Sequence, residues 1–186
     1  MSSFSSQFIT ACWIAFLLFW AFSALVVHRT AETRAGRWSI VYGAMVVFMY
    51  GLVRQFPGLW VRSWPDTAAV DAVADLLAFA GLVVLLWARI SIGRNWSGEI
   101  VLKEGHEVVT KGPYRSIRHP IYSGLVLLGL GTALFWGTLL GLAFVAAFAA
   151  VFWYKSRLEE AFMTEKFPET YPAYRARTKA FIPRVF

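Results

Sequence analysis

The sequence predicts an all-α integral membrane protein of about five transmembrane helices, with a tight C-terminal helical hairpin and a long loop and tail on the cytosolic side. Three observations predict it. Apolar residues make up 58 % of the 186 residues and charged residues 16 %, against about 45–50 % and 25 % in soluble domains. The apolar residues fall in long uncharged blocks, not at an amphipathic period. The 18 Lys and Arg gather between alternate blocks. With a mean hydropathy of +0.55 and a pI near 9.9, the chain is neither disordered nor composed like a water-soluble domain. Its length suits one domain, residues 1–186.

The first span is read over residues 8–27, which are 20 residues without a charge and cross a core of about 30 Å at 1.5 Å per residue. The run is too long, and its leader too poor in basic residues, for a signal peptide. Residues 38–53 form a second, shorter span with Arg37 and Trp38 at the interface. Residues 68–90 form the third. Asp71 and Asp75 lie one turn apart near its start, after the capping candidates Asp66 and Thr67, where the helix dipole favours negative charge; they read as structural. Ile121 to Tyr154 is 34 residues without charge, too long for one crossing, so it divides near Phe135–Thr138 into spans at 121–135 and 138–154. Gly124, Gly129, Gly131, Gly137 and Gly141 are expected to be close-packing points of that hairpin.

Charge placement tests this count. Five spans put sixteen Lys and Arg on one side and two, Arg54 and Arg62, on the other. The rich side is cytosolic by the positive-inside rule, which places the N-terminus outside an inner or cytoplasmic membrane. Treating residues 121–154 as a single pass would move the basic tail across and erase the asymmetry. Because the basic residues sit at helix ends, anchoring and headgroup attraction explain them, and no nucleic-acid partner is expected. A lone Cys12 excludes an internal disulfide framework, and His28, His106 and His119 are too scattered to suggest a metal site. Trp60 and Trp64 outside, with Trp38, Trp87 and Trp153 inside, read as interfacial belts.

Two cytosolic segments carry most of the remaining polar information: the loop 91–120 and the tail 155–186. Thirty residues is long for a connection in so small a protein, and such loops tend to be functional. Pro120 can open the fourth span at a position that needs no amide donor. Arg118 and His119 then stand at the mouth of that helix, where an anion is readily received. The plainer alternative makes Arg118 an anchor, His119 a cap and Tyr122 part of a belt. If the last helix continues past Tyr154, Ser156, Glu159 and Glu160 share about one face. The alternative there is a salt-bridged surface helix in which Arg157 pairs with Glu160.

The run His106-x-Val108-Val109-Thr110-x-Gly112-x-Tyr114-x3-Arg118-His119-Pro120-x-Tyr122-x-Gly124 resembles the isoprenylcysteine carboxyl methyltransferase family. So do the later Glu159-Glu160, Phe167, Tyr171, Tyr174 and the closing Ile182-Pro183. Phospholipid N-methyltransferases are more distant relatives. The resemblance covers the C-terminal half, from Gly93 onward; the first two spans carry no matching motif. It implies an S-adenosylmethionine-dependent methyltransferase whose loop and tail bind the cofactor at the cytosolic membrane face. By that analogy His106, Val108, Val109, Tyr114, His119, Pro120, Ile121, Tyr122, Glu159 and Glu160 line the cofactor pocket. Arg118, His119 and Glu160 would be catalytic, and Lys155 or Arg157 would meet the substrate, an amphipathic or isoprenoid-like acceptor.

Those residue types suit the chemistry. Glu160 can accept from a hydroxyl or ammonium group, Tyr114 or Tyr122 can cover an aromatic base or a sulfonium, and the helix mouth at His119 can hold a carboxylate. Methyl transfer is an in-line displacement, so positioning supplies most of the catalysis. A carboxylate acceptor needs no general base; a thiol or ammonium would, with His119 or the Glu pair nearest to hand. The alternatives are a phospholipid N-methyltransferase, a sterol-reductase-like enzyme and a non-catalytic membrane protein that keeps the fold.

Overall fold

The computed structural model describes residues 2–25, 27, 29–35, 37–105 and 107–183. Five long helices occupy the five expected segments: α1 Ser3–Ala24, α2 Trp38–Gln55, α3 Ala68–Ile92, α4 Pro120–Trp136 and α5 Leu139–Lys166. A short α6, Tyr171–Arg177, follows. α1, α3 and α5 are long and apolar enough to cross a membrane, and α4 is apolar over its shorter length. The chain is an integral membrane protein.

Two element ends differ most from the sequence reading. α1 starts five residues before the expected Phe8, because the Ser2 side chain accepts from the Ser5 amide at 3.1 Å and so caps it. Its polar first turn is used against α3: Ser2 N donates to Asp71 at 3.3 Å and Ser5 Oγ to Asp75 at 2.8 Å. Those aspartates are structural, as read, and Thr67 caps α3 through the Val70 amide at 3.3 Å. α5 does not stop at Tyr154 but runs on to Lys166, carrying the glutamate pair on a helix.

α4 and α5 double back through Gly137, whose φ of 75° ends α4 in the left-handed region, and Thr138, which caps α5. The glycines correct the reading of the hairpin. A Cβ on Gly124 would lie 2.8 Å from Leu85 Cγ, and one on Gly131 2.5 Å from the Ala74 carbonyl. These two face α3, not α5. Small residues on α3 (Ala74, Ala78 and Gly81) let its backbone approach α4, and the tightest interface in the bundle forms there. Ile9, Cys12 and Phe16 of α1 complete that core with Leu82, Leu85, Leu128 and Phe135.

α2 is different: only Trp38 is buried along it. Trp38 is therefore no interfacial belt residue but part of a small core with Ile100 and Phe162, while Trp87 and Trp153 stay half exposed. Beyond the His119 end of the bundle, β1 (Thr30–Ala35) pairs antiparallel with β2 (Ile100–Lys103), joining the first short loop to the long one.

Candidate functional site

The polar residues of the long loop are brought to the bundle by a turn and a strap. Gly112, at φ +59°, lies where a Cβ would meet Ser91 and Trp87 of α3, so only glycine lets the chain pass. Pro113 and Tyr114 bury themselves in the next turn. Pro120 then occupies the first turn of α4. The tail crosses the mouth of this helix: the amides of Arg118 and His119 donate to the carbonyls of Lys179 and Ala180 at 2.8 and 3.0 Å. Tyr174 Oη donates to the Tyr114 carbonyl at 2.9 Å. Burial pushes the Tyr174 phenol up to about 12, which keeps that donor protonated.

With its amide taken by the tail, His119 makes no side-chain cap and turns toward α5. Its Nε2 lies 3.0 Å from Glu160 Oε1 and its Nδ1 3.5 Å from Glu159 Oε2. Arg118 Nε donates to the same Glu160 oxygen at 2.8 Å, and Arg175 Nε lies 3.2 Å from Glu160 Oε2. Arg118 also reaches the carbonyls of Arg175 and Thr178. Glu160 lies beyond Tyr154, where the uncharged stretch ends. Burial works to raise its pKa, but hydrogen bonds from His119 and Arg118 outweigh burial and hold the carboxyl at about 2. Glu159 accepts from Tyr122 Oη at 2.7 Å, and the His119 and Tyr122 rings stack with centroids 5.6 Å apart.

Above this cluster lies a cavity of about 410 Å³ lined by Val108, Val109, Tyr114, Arg118, His119, Ile121, Tyr122, Lys155 and Glu159. Pro120 and Glu160 are buried beside it, Glu160 behind His119. Arg157 stands outside, its guanidinium 5.9 Å from the Trp153 ring, and does not pair with Glu160. His106 lies outside the described residues. Lys155 is 2 % exposed. Its Nζ donates to the Gly98 carbonyl at 2.6 Å and lies 5.5–5.6 Å from the ring centroids of Trp38, Tyr42 and Tyr122.

The cavity also has walls that sequence reasoning passed over: Phe16 and Trp20 of α1, Tyr42 of α2, and Trp96 and Glu99 of the loop. Phe16, Trp20 and Tyr42 sit among apolar residues, where an aromatic side chain carries no distinguishing signal, whereas Trp96 and Glu99 belong to the polar run of the loop. A second cavity, of about 550 Å³, lies among α1, α2, α4 and α5 and shares Tyr42, Leu125 and Phe152 with the first. Its lining is almost wholly apolar, with Trp13 Nε1 donating to Thr132 Oγ1 at 2.9 Å. One end of the paired space is thus charged and the other oily. Among the described residues no three His, Cys, Asp or Glu come together as a metal site.

The profile of the phospholipid methyltransferase family matches residues 70–170, more than half of the chain. The cobalt-zinc-cadmium resistance protein CzcN of Cupriavidus metallidurans is 32 % identical over 82 % of this chain and 64 % of its own length. The nickel-cobalt-cadmium resistance protein NccN of Alcaligenes xylosoxydans xylosoxydans is 31 % identical over 82 % and 65 %. Protein-S-isoprenylcysteine O-methyltransferase B of Arabidopsis thaliana is 29 % identical over 70 % and 65 %. The chain thus spans a little under two thirds of the curated relatives it matches. A solved structure of the eukaryotic intramembrane Ras methyltransferase ICMT (isoprenylcysteine carboxyl methyltransferase) aligns with a TM-score of 0.47 at 23 % identity, over 80 % of this chain and 52 % of that one.

Proposed function

The chain belongs to the phospholipid methyltransferase family, and from that premise we propose that it is an S-adenosylmethionine-dependent integral-membrane methyltransferase that methylates a carboxylate of a lipid-like or prenylated acceptor. The observation that carries this reading is the adjacency of the two cavities. A chamber that carries the charged side chains of Arg118, Lys155 and Glu159 beside His119 shares Tyr42, Leu125 and Phe152 with an apolar chamber inside the bundle. An amphipathic acceptor and a polar co-substrate need such a pair of neighbouring spaces. The isoprenylcysteine O-methyltransferases among the relatives support the acceptor class.

The residues present fit the cofactor. A cavity of about 410 Å³ is in the range of small-molecule sites. Glu159 offers it a carboxylate, Tyr114 and Tyr122 offer aromatic rings, and Val108 and Val109 offer apolar contact. When bound, S-adenosylmethionine supplies the methyl group from a sulfonium centre.

The chain's own part is to bind, orient and exclude water, because an in-line displacement between held partners gains most from proximity. Tyr122, fixed by its bond to Glu159, and His119, fixed by Glu160, present a stacked pair of rings to the cavity. Glu160 and Arg118 act as positioning residues, tying α4, α5 and the tail into one rigid floor. Lys155, with Glu159 Oε1 3.6 Å from its Nζ, brings a buried ammonium that attracts a carboxylate and repels an alkylammonium. A carboxylate acceptor arrives deprotonated and needs no base. This agrees with the state of the cluster: Glu160 is held by Arg118, His119 and Arg175, and Glu159 is occupied by Tyr122. The charge distribution supports a cytosolic loop and tail.

The test is to incubate membranes containing the protein with methyl-labelled cofactor and then to treat the labelled product with base. Release of volatile methanol is expected, as from a carboxyl ester. Label that resists base would instead indicate N-methylation, as of a phospholipid amine, and would overturn the carboxylate assignment. If S-adenosylhomocysteine leaves the thermal midpoint of the detergent-purified protein unmoved, the methyltransferase reading itself fails.

A further inference from the structure

The Tyr42 hydroxyl is buried and has no hydrogen-bond partner among the described residues. Buried hydroxyls are nearly always bonded, and an orphan costs free energy that folding alone does not recover. Tyr42 stands on the wall common to both cavities, its ring 5.6 Å from the buried Lys155 ammonium. That ammonium has three donors, and the Gly98 carbonyl takes one at 2.6 Å. Glu159 Oε1 lies 3.6 Å from the same nitrogen, so one donor is left for a group at the junction of the two chambers. An amphiphile whose tail fills the apolar chamber has its head at that junction.

Tyr42 packs on Trp38 and on Phe152 of α5, with ring centroids 6.4 and 5.8 Å away, but the rest of α2 is little buried. The helix is buried only at Trp38, and Arg37, in the left-handed region at φ 72°, gives it no side-chain cap. The cap comes from the loop instead: Glu99 accepts from the amides of Trp38 at 2.8 Å and Ser39 at 3.2 Å. A carboxylate there satisfies two free amides and favours the positive helix end. Tyr42 follows Trp38 by one turn, and its neighbour in the loop, Gly98, holds Lys155. The same two loop residues thus set both donors.

We propose that the Tyr42 hydroxyl donates a hydrogen bond to the anionic head of the acceptor, and that Glu99 is the positioning residue that holds α2 so that it can. The ligand class is a carboxylate at the end of a single hydrocarbon chain. This rests on the functional reading above and adds to it a binding group from a helix in which no motif is recognisable.

The experiment measures equilibrium binding of S-adenosylhomocysteine and of N-acetyl-S-farnesylcysteine to the full-length, detergent-purified chain and to Tyr42→Phe and Glu99→Gln. Tyr42→Phe is expected to weaken N-acetyl-S-farnesylcysteine about tenfold, the loss of one hydrogen bond to a charged group. S-adenosylhomocysteine binding should be unchanged and the thermal midpoint equal or higher, because the lost hydroxyl bonded to nothing. Glu99→Gln should weaken the same ligand and speed amide exchange in the first turn of α2. Equal acceptor binding in wild type and Tyr42→Phe overturns the proposal, as does a lowered midpoint with both ligands weakened, the mark of a structural hydroxyl. A wild type that binds S-adenosylhomocysteine but not the farnesyl probe overturns the head-group assignment alone. One that binds neither overturns the functional reading beneath it.

Discussion

His119 Nε2 lies 3.0 Å from Glu160 Oε1, across 41 residues of sequence. The contact exists because α4 and α5 turn back on each other at Gly137–Thr138, so the first residue before one helix meets a late turn of the next. Glu160→Gln keeps the shape of this contact and removes the charge that Arg118, His119 and Arg175 share. We expect S-adenosylhomocysteine binding to weaken by about 1–3 kcal/mol, the range for a buried charge-assisted bond. Asp71→Asn, at the opposite end of the bundle, should leave it alone. Titration of both variants checks this, and equal losses would point to general destabilisation.

The same carboxylate predicts a pH dependence. Its folded pKa is about 2 against an ordinary 4.5. A depressed folded pKa contributes stability that is complete above the unfolded value and disappears as pH falls through the folded one. The thermal midpoint should therefore hold from neutral down to about pH 4.5 and fall between there and pH 2, with about 3 kcal/mol at stake on this group. The Glu160→Gln protein should show a flatter decline over that window.

Arg118 joins α5 to the tail, bonding Glu160 and the carbonyls of Arg175 and Thr178. Lys cannot reproduce this, since a single ammonium lacks the planar fork of donors. Limited proteolysis should cut the tail faster in Arg118→Ala, and Arg118→Lys should not restore the wild-type rate. Wild-type cleavage in Arg118→Lys would show that charge alone holds the strap.

The five long helical segments, the hairpin and the meeting of Arg118-His119 with the glutamate pair are legible from sequence because they follow from block lengths. Residues flanking two halves of a 34-residue apolar run must come together once it folds in two. Thr67 was legible as a cap because capping is local. The pairing of β1 with β2 was not: Thr30–Ala35 is a short stretch with no large apolar residue to mark a strand, and its partner lies some seventy residues on. Nor was the tail strap, made of backbone bonds from Arg118 and His119 to Lys179 and Ala180, which no side chain announces. Tyr42 and Trp38 look like any aromatic residues near a membrane boundary until the loop carries Glu99 to them.

The glycines allow a sharper comparison. A Cβ at Gly131 would press on the Ala74 carbonyl at 2.5 Å, against rigid backbone, whereas one at Gly129 would meet only the Val145 Cγ2 methyl at 3.3 Å. Overpacking of the first kind costs about 1–3 kcal/mol, and the second is offset by the better helix propensity of alanine, about 1 kcal/mol over glycine. Gly131→Ala should lower the thermal midpoint clearly and Gly129→Ala should change it little. A reversed order would mean that α4 packs on α5 more tightly than on α3.

Lys155 and Arg157 are two residues apart, and a helix sends them to different faces. Lys155 enters the cavity with 2 % of its surface exposed, while Arg157 lies over the Trp153 ring outside it. Lys155→Met keeps the length of the apolar stem and deletes the ammonium. If that charge receives the acceptor carboxylate, formation of base-labile methyl product should fall by at least about tenfold, the weight of one bond to a charged group. S-adenosylhomocysteine should still bind. Arg157→Ala should leave both measurements as they are, because its guanidinium reaches nothing that lines the cavity. Comparable losses in the two variants would mean that positive charge near the membrane, not an ammonium in the cavity, draws the acceptor in.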